Sequence, residues 1–170
     1  MKKEITYEKK NRMLDITLHV ILICLLLLWI PVVIDKVVNF KAFTSSIINQ
    51  PFSDQLGYFL TYALPVLESS TIVMLLSKKL RMAGLILSTT LMMVFTGYIA
   101  AALLGAWDSL PCGCGSVISG MNWMEHFFFN LFFLALSTVG LIICLKLRGS
   151  ITGREAVKGW PAKRHHNSFS

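Results

Sequence analysis

The residues best suited to chemistry lie in one short stretch, Leu110-Pro111-Cys112-Gly113-Cys114-Gly115. Its two cysteines are one residue apart, and Pro111 and Gly115 on either side favour an exposed turn. A cysteine pair can alternate between dithiol and disulfide, or it can bind a soft metal ion. A disulfide across one intervening residue closes a very small ring, and strained, exposed disulfides are the reactive ones. The stretch therefore predicts thiol–disulfide redox exchange through Cys112 and Cys114.

Two other uses of this cysteine pair stay open. Met121, Met124 and His126 follow closely, and copper(I) favours sulfur ligands, so a copper-handling membrane protein is one alternative. The other is a membrane assembly subunit without catalytic activity, in which the two cysteines only brace a loop. The redox interpretation assigns no metal ion to the chain.

Glu68 is the next candidate, because it lies about midway along the apolar segment 57–76. A charged side chain at the centre of a bilayer costs about 2.5–3.5 kcal/mol, so it indicates a function. The apolar surroundings favour the neutral acid, which makes Glu68 a candidate for proton handling. Pro65 is expected to kink the helix and to free a backbone carbonyl group. The alternative is a protonated, hydrogen-bonded carboxyl group without a part in catalysis.

His126 opens the last apolar segment, and Asn130 lies one helical turn deeper on the same face. A histidine close to a thiol can accept its proton, so His126 is a candidate for thiol activation. The alternative is a histidine that only contacts lipid headgroups. Cys24 and Cys144 lie inside apolar segments, where cysteine is a good small packing residue.

The composition predicts a membrane protein. Of 170 residues, 55% are hydrophobic and only 15% are charged, against about a quarter in soluble domains. The apolar residues form four blocks, each close to the roughly 20 residues that a bilayer requires. We therefore expect an all-α bundle of four transmembrane helices within residues 1–148, and small residues such as Gly84 and Gly97 should allow close helix packing. The predicted spans are 16–34, 57–76, 82–104 and 126–147. A polar, basic tail, 149–170, is expected to be disordered.

The basic residues predict how the chain crosses the membrane. With four spans, both termini lie on one side, and that side holds all but Lys36 and Lys41 of the 16 lysines and arginines. The 105–125 loop contains none. By the positive-inside rule both termini are cytoplasmic and the cysteine pair is extracytoplasmic, which in bacteria is an oxidising side. The net charge of +7 thus indicates topology and not binding of nucleic acid.

Four motifs in order resemble the MauE-like branch of the MauE/DoxX family of redox-associated membrane proteins. The matching pieces, which together cover about residues 16–147, are Asp35-Lys36…Phe40-x-x-Phe43, Pro65-x-x-Glu68, Pro111-Cys112-Gly113-Cys114-Gly115 and Trp123-x-x-His126-x-x-x-Asn130. The resemblance implies a four-helix membrane bundle with a part in disulfide formation or electron transfer during maturation of extracytoplasmic proteins. No residue indicates a role specific to methylamine.

These observations together predict a thiol–disulfide oxidoreductase of the bacterial cytoplasmic membrane. The lipid bilayer surrounds the bundle, and a thioredoxin-like protein or a secreted client would dock at the 105–125 loop. A membrane quinone is a candidate for the second electron carrier, although no residue in the sequence demands it.

Overall fold

The computed structural model describes residues 2–51, 53–106 and 122–158, with side chains between positions 8 and 149 of these ranges. The regular secondary structure in this part of the chain is all helical, with no strand, so the predicted all-α class is confirmed. The helices are α1 (Lys2–Val38), α2 (Phe40–Ile48), α3 (Asp54–Leu76), α4 (Arg81–Leu103) and α5 (Trp123–Lys158). Cys112 and Cys114 lie outside the described residues.

Four of the helices are long and apolar enough to cross a membrane. The candidate spans are Glu8–Val38, Asp54–Leu76, Arg81–Leu103 and Trp123–Gly149, and each contains or nearly coincides with a span predicted from the sequence. Helix α5 continues to Lys158, beyond the predicted end of the fourth span. The described part of the chain thus contains the four long apolar helices that the sequence predicts, and α1, α3 and α5 extend beyond the predicted spans.

The short helix α2 was not predicted, because the sequence after the first span reads as a mixed loop. Its apolar side chains Phe43 and Ile47 are four residues apart and so share one helical face. Both are buried in the bundle, where they pack close to α3. This tertiary contact stabilises a helix that is too short to be stable alone.

The long helices run antiparallel to their neighbours. Thr89 of α4 donates a hydrogen bond to Ser137 of α5. Met82, which comes earlier in α4, contacts Arg148, which comes later in α5. The bundle thus has two ends. We call the end with the last residues of α4 and the first of α5 the loop end, and the opposite one the tail end.

The core lies between the faces of the four spans. Leu25, Trp29, Leu75 and Leu85 are almost completely buried there, and Trp29 Nε1 donates a hydrogen bond to Ser88 Oγ at 3.0 Å. Large apolar side chains also cover the outside of every span, for example Leu27, which is 69% exposed. Apolar surface this extensive is expected to face lipid.

Gly84 and Gly97 on α4 play different parts in the packing. A Cβ atom at Gly84 would lie 2.8 Å from the backbone nitrogen of Leu75, so α3 and α4 approach closely here as predicted. At Gly97 a Cβ atom would meet nothing within 4 Å. The expectation of close packing at Gly97 is therefore wrong, since this glycine is exposed and faces away from the other helices.

Candidate functional site

A cavity of about 190 Å³ lies inside the half of the bundle nearest the loop end. All five helices contribute to its wall. Most of the lining is apolar, and the rings of Trp29, Phe43, Phe95 and Phe129 supply much of it. The polar members of the wall are Lys36, Gln50, Glu68, Tyr98, His126 and Asn130.

Lys36 of α1 and Glu68 of α3 form a buried ion pair in this wall. The Lys36 Nζ atom donates a hydrogen bond to Glu68 Oε1, and the two residues are 6% and 0% exposed. The ammonium group also lies 5.2 Å from the ring centroid of Phe43 and 5.7 Å from that of Phe95. Each charge is thus the partner that offsets much of the cost of burying the other, and the two rings add cation–π attraction.

The second carboxylate oxygen of Glu68 is not used by this pair. Among the described residues, Oε2 is buried and has no hydrogen-bond partner. A buried acceptor without a donor is costly and uncommon, so its position needs an explanation. The carboxylate that lines the cavity therefore has an acceptor available for a further group.

Helix α3 places Glu68 at the cavity through a simple spacing. Leu60, Leu64 and Glu68 are four residues apart, so they share one helical face, and all three line the cavity. Pro65 lies within this helix, which continues on both sides of it. Because proline has no N–H group, the helix lacks the backbone hydrogen bond from position 65 to the Thr61 carbonyl, in the turn that precedes Glu68.

His126 and Asn130 are positioned by the first turns of α5. The Asn122 side chain accepts from the Glu125 N–H, and the Glu125 carboxylate accepts from the Asn122 N–H, both at 2.9 Å. This reciprocal capping box fixes where α5 begins. Asn130 donates from Nδ2 to the His126 carbonyl oxygen at 3.1 Å, and the side chains of both residues line the cavity.

Lys36, quoted above only as part of a family motif, and Gln50 and Tyr98 are members of the site to which the sequence analysis gave no role. The Tyr98 hydroxyl donates a hydrogen bond to Gln50 Oε1, which joins the end of α2 to α4. A signal for Lys36 did exist, since a carboxylate inside a membrane needs a partner and this lysine lies two residues after the end of the first apolar block. For Gln50 and Tyr98 the sequence offered no such signal.

The cysteine-containing segment departs from the same end of the bundle. Helix α4 ends in a Schellman motif, in which Gly105 has a positive φ of 77° and Ala106 N–H donates to the Ala101 carbonyl at 3.1 Å. The capped start of α5 follows after residues 107–121. The structure therefore brings Glu68, His126 and Asn130 together at one cavity, while Cys112, Cys114 and Met121 lie outside the described residues.

The other two cysteines are placed as packing residues. Cys24 and Cys144 are partly buried, and in the described part of the chain neither forms a disulfide. Cys144 packs against the apolar core cluster. Both positions are those of small apolar side chains inside transmembrane helices.

Four apolar helices around a buried ion pair define a multi-pass membrane protein. A sequence model of the family described as methylamine utilisation protein MauE matches residues 14–143, which is well over half of the chain. The chain therefore belongs to the MauE family, and the resemblance seen in its motifs is confirmed. No curated protein and no solved structure matches it.

Proposed function

We propose that this MauE-family protein exchanges disulfide bonds with a partner at the outer face of the bacterial cytoplasmic membrane through Cys112 and Cys114. The observation that carries the proposal is the place of the cysteine pair in the chain. It lies in the segment that joins the loop-end termini of α4 and α5, and towards that end His126 and the Lys36–Glu68 pair line the same cavity.

The exchange runs in two steps that conserve disulfide bonds. A thiolate of one cysteine attacks a disulfide sulfur of the partner, so an intermolecular S–S bond forms and the partner's second sulfur leaves as a thiolate. The other cysteine then attacks this mixed disulfide. The partner leaves as a dithiol, and Cys112 and Cys114 are joined by a disulfide. The reverse sequence oxidises a dithiol client, so neither direction needs an outside oxidant within the exchange itself.

His126 and Glu68 supply proton handling in this proposal. His126 lies on the first turn of α5, directly after the cysteine segment, and is assigned to accept the proton of the attacking thiol. Glu68 is assigned to hold a proton deeper in the bundle, where Lys36 neutralises its charge when the proton is absent. The partner is a thioredoxin-like protein or a secreted client. The family's description adds methylamine utilisation as the pathway in which to look for it.

A trapping experiment tests the exchange. When only the attacking cysteine remains, the mixed disulfide cannot be resolved, so one of Cys112→Ala and Cys114→Ala should accumulate a partner through a bond that reductant cleaves. The other single variant and the double variant should trap nothing. Non-reducing electrophoresis of membranes followed by mass spectrometry identifies the trapped protein.

Cys24→Ala and Cys144→Ala serve as matched controls and should behave like the wild type. A bracing disulfide or a metal site would lose both members of the pair equally and trap no partner. If neither single variant traps a partner and the double variant keeps its function, the proposal is wrong. Stoichiometric copper in the purified wild type that is lost in the double variant would favour the copper-handling alternative.

A further inference from the structure

The cavity has the size and the lining of a site for a small aromatic or quinonoid ring. Its volume is about 190 Å³, and an apolar cavity of about 150 Å³ engineered into another protein holds benzene. There is thus room for one six-membered ring with a few substituents. The aromatic side chains of Trp29, Phe43, Phe95 and Phe129 in the wall favour a flat occupant.

The polar groups of the wall suit a ring that carries oxygen atoms. Lys36 is a charged donor beside the cavity, and Glu68 Oε2 is a buried acceptor with no hydrogen-bond partner among the described residues. A carbonyl oxygen on the ring can accept from the ammonium group. A hydroxyl group on the ring can donate to Oε2, which would then be satisfied.

The cavity also borders the lipid. Val94 of α4 lines it and is at the same time 60% exposed on the outer surface of the bundle. Outer surfaces of the spans are covered by large apolar side chains of this kind. The wall of the cavity therefore reaches the outer surface at Val94, the side from which a ligand dissolved in the bilayer would enter while its apolar tail stays in the lipid.

We propose that this cavity binds the ring of a membrane quinone, with Lys36 donating to a carbonyl oxygen of the quinone and Glu68 Oε2 accepting from a hydroxyl group of the quinol. A quinone is the class of ligand that combines these properties. Its ring is flat, its oxygens change from acceptors to donors on reduction, and its isoprenoid tail is soluble in lipid.

The role of this quinone as electron acceptor rests on the proposed function, whereas its binding does not. Oxidation of the Cys112–Cys114 dithiol breaks two S–H bonds, forms one S–S bond and releases two electrons and two protons. Reduction of the quinone to quinol takes up both electrons and both protons. The net reaction, dithiol plus quinone to disulfide plus quinol, is balanced.

Quenching of tryptophan fluorescence tests the binding, because Trp29 lines the cavity and is almost completely buried. The starting variant for these measurements carries Trp107→Phe, Trp123→Phe and Trp160→Phe, so Trp29 is its only tryptophan. It also carries Cys112→Ser and Cys114→Ser. In lipid nanodiscs, decylubiquinone should quench the Trp29 emission along a saturable curve. A quenching that rises in proportion to the quinone in the lipid and never saturates would overturn the proposal.

Two variants of α3 separate binding in the cavity from partition into lipid. Leu64→Phe fills the cavity and should raise the quinone concentration needed for half-maximal quenching at least about tenfold. This change corresponds to a loss of about 1.4 kcal/mol in binding free energy. Val66→Phe adds the same ring two residues away, where Val66 is 63% exposed to lipid, and should leave the curve unchanged. Equal curves for the two variants would contradict the site.

A third variant keeps the test valid if Leu64→Phe fails to fold. Lys36→Met/Glu68→Leu removes both charges together and should also weaken binding about tenfold, with helix content checked by circular dichroism. Because the cysteines are absent throughout, absence of saturable quenching before the cavity is altered, or unchanged quenching in the cavity variants, counts against the quinone site alone. Failure to trap a partner in the cysteine variants counts against the exchange alone.

Discussion

The Lys36–Glu68 pair is the most consequential contact at the scale of single residues. Two opposite charges lie almost fully buried inside a bundle whose outer surface is apolar. Removing one member of such a pair leaves the other charge without compensation, whereas replacing both with apolar residues of similar volume is often neutral or stabilising. This difference separates a coupled pair from two independent polar residues.

We expect Lys36→Met and Glu68→Leu each to lower the free energy of unfolding by about 3–5 kcal/mol, the usual cost of breaking a buried pair. The double variant should be close to the wild type, because no charge is then left buried alone. Chemical denaturation in mild detergent, followed by circular dichroism, measures all three values.

Lys41→Met is the matched control for the lysine. Lys41 is exposed on α2, so its replacement should change the free energy of unfolding by no more than about 0.5 kcal/mol. Additive losses in the double variant, with no recovery, would show that the two charges do not stabilise each other.

At the scale of helices, the close approach of α3 and α4 depends on the absence of a side chain at one position. The first turn of α4 lies against the last turn of α3, and a Cβ atom at Gly84 would fall 2.8 Å from Leu75 N and 2.9 Å from Met74 Cβ. Since one of these atoms belongs to the backbone, the helices would have to move apart to admit it.

Gly84→Ala should therefore lower the free energy of unfolding by about 1–3 kcal/mol, the typical cost of overpacking. Gly97→Ala is a matched control on the same helix, because nothing lies within 4 Å of its Cβ position. It should raise the free energy of unfolding by about 0.5–1 kcal/mol through helix propensity. Thermal unfolding of the two variants side by side makes the comparison, and a loss of similar size in both would contradict the assigned contact.

At the scale of the whole molecule, the buried lysine also bears on the proposed orientation in the membrane. Lys36 and Lys41 are the only basic residues between the predicted spans 16–34 and 57–76, and Lys36 is turned into the bundle, where it pairs with Glu68. Among the described residues of this connection, Lys41 is then the only basic side chain on the surface. The charge asymmetry that supports cytoplasmic termini is thus larger than the sequence count indicates.

A maleimide that cannot cross membranes tests this orientation. Added to intact spheroplasts after reduction, it should label Cys112 or Cys114, because the proposed topology places the loop end outside. A Ser77→Cys variant without these two cysteines is the control, since Ser77 lies in the turn between α3 and α4 at the tail end, and it should be labelled only after lysis. The opposite result for the two proteins would reverse the orientation.

The sequence by itself determined which segments are helical spans and which residues were candidates for the site. Hydropathy and the helical repeat are local properties, so the four spans and the shared face of His126 and Asn130 could be predicted. Tertiary structure alone decided which faces meet. The Lys36–Glu68 contact joins residues 32 positions apart and the Trp29–Ser88 bond joins residues 59 apart. Such contacts, the helical state of α2 and the cavity exist only once the helices pack, since their stability comes from mutual burial and not from any local preference of the chain.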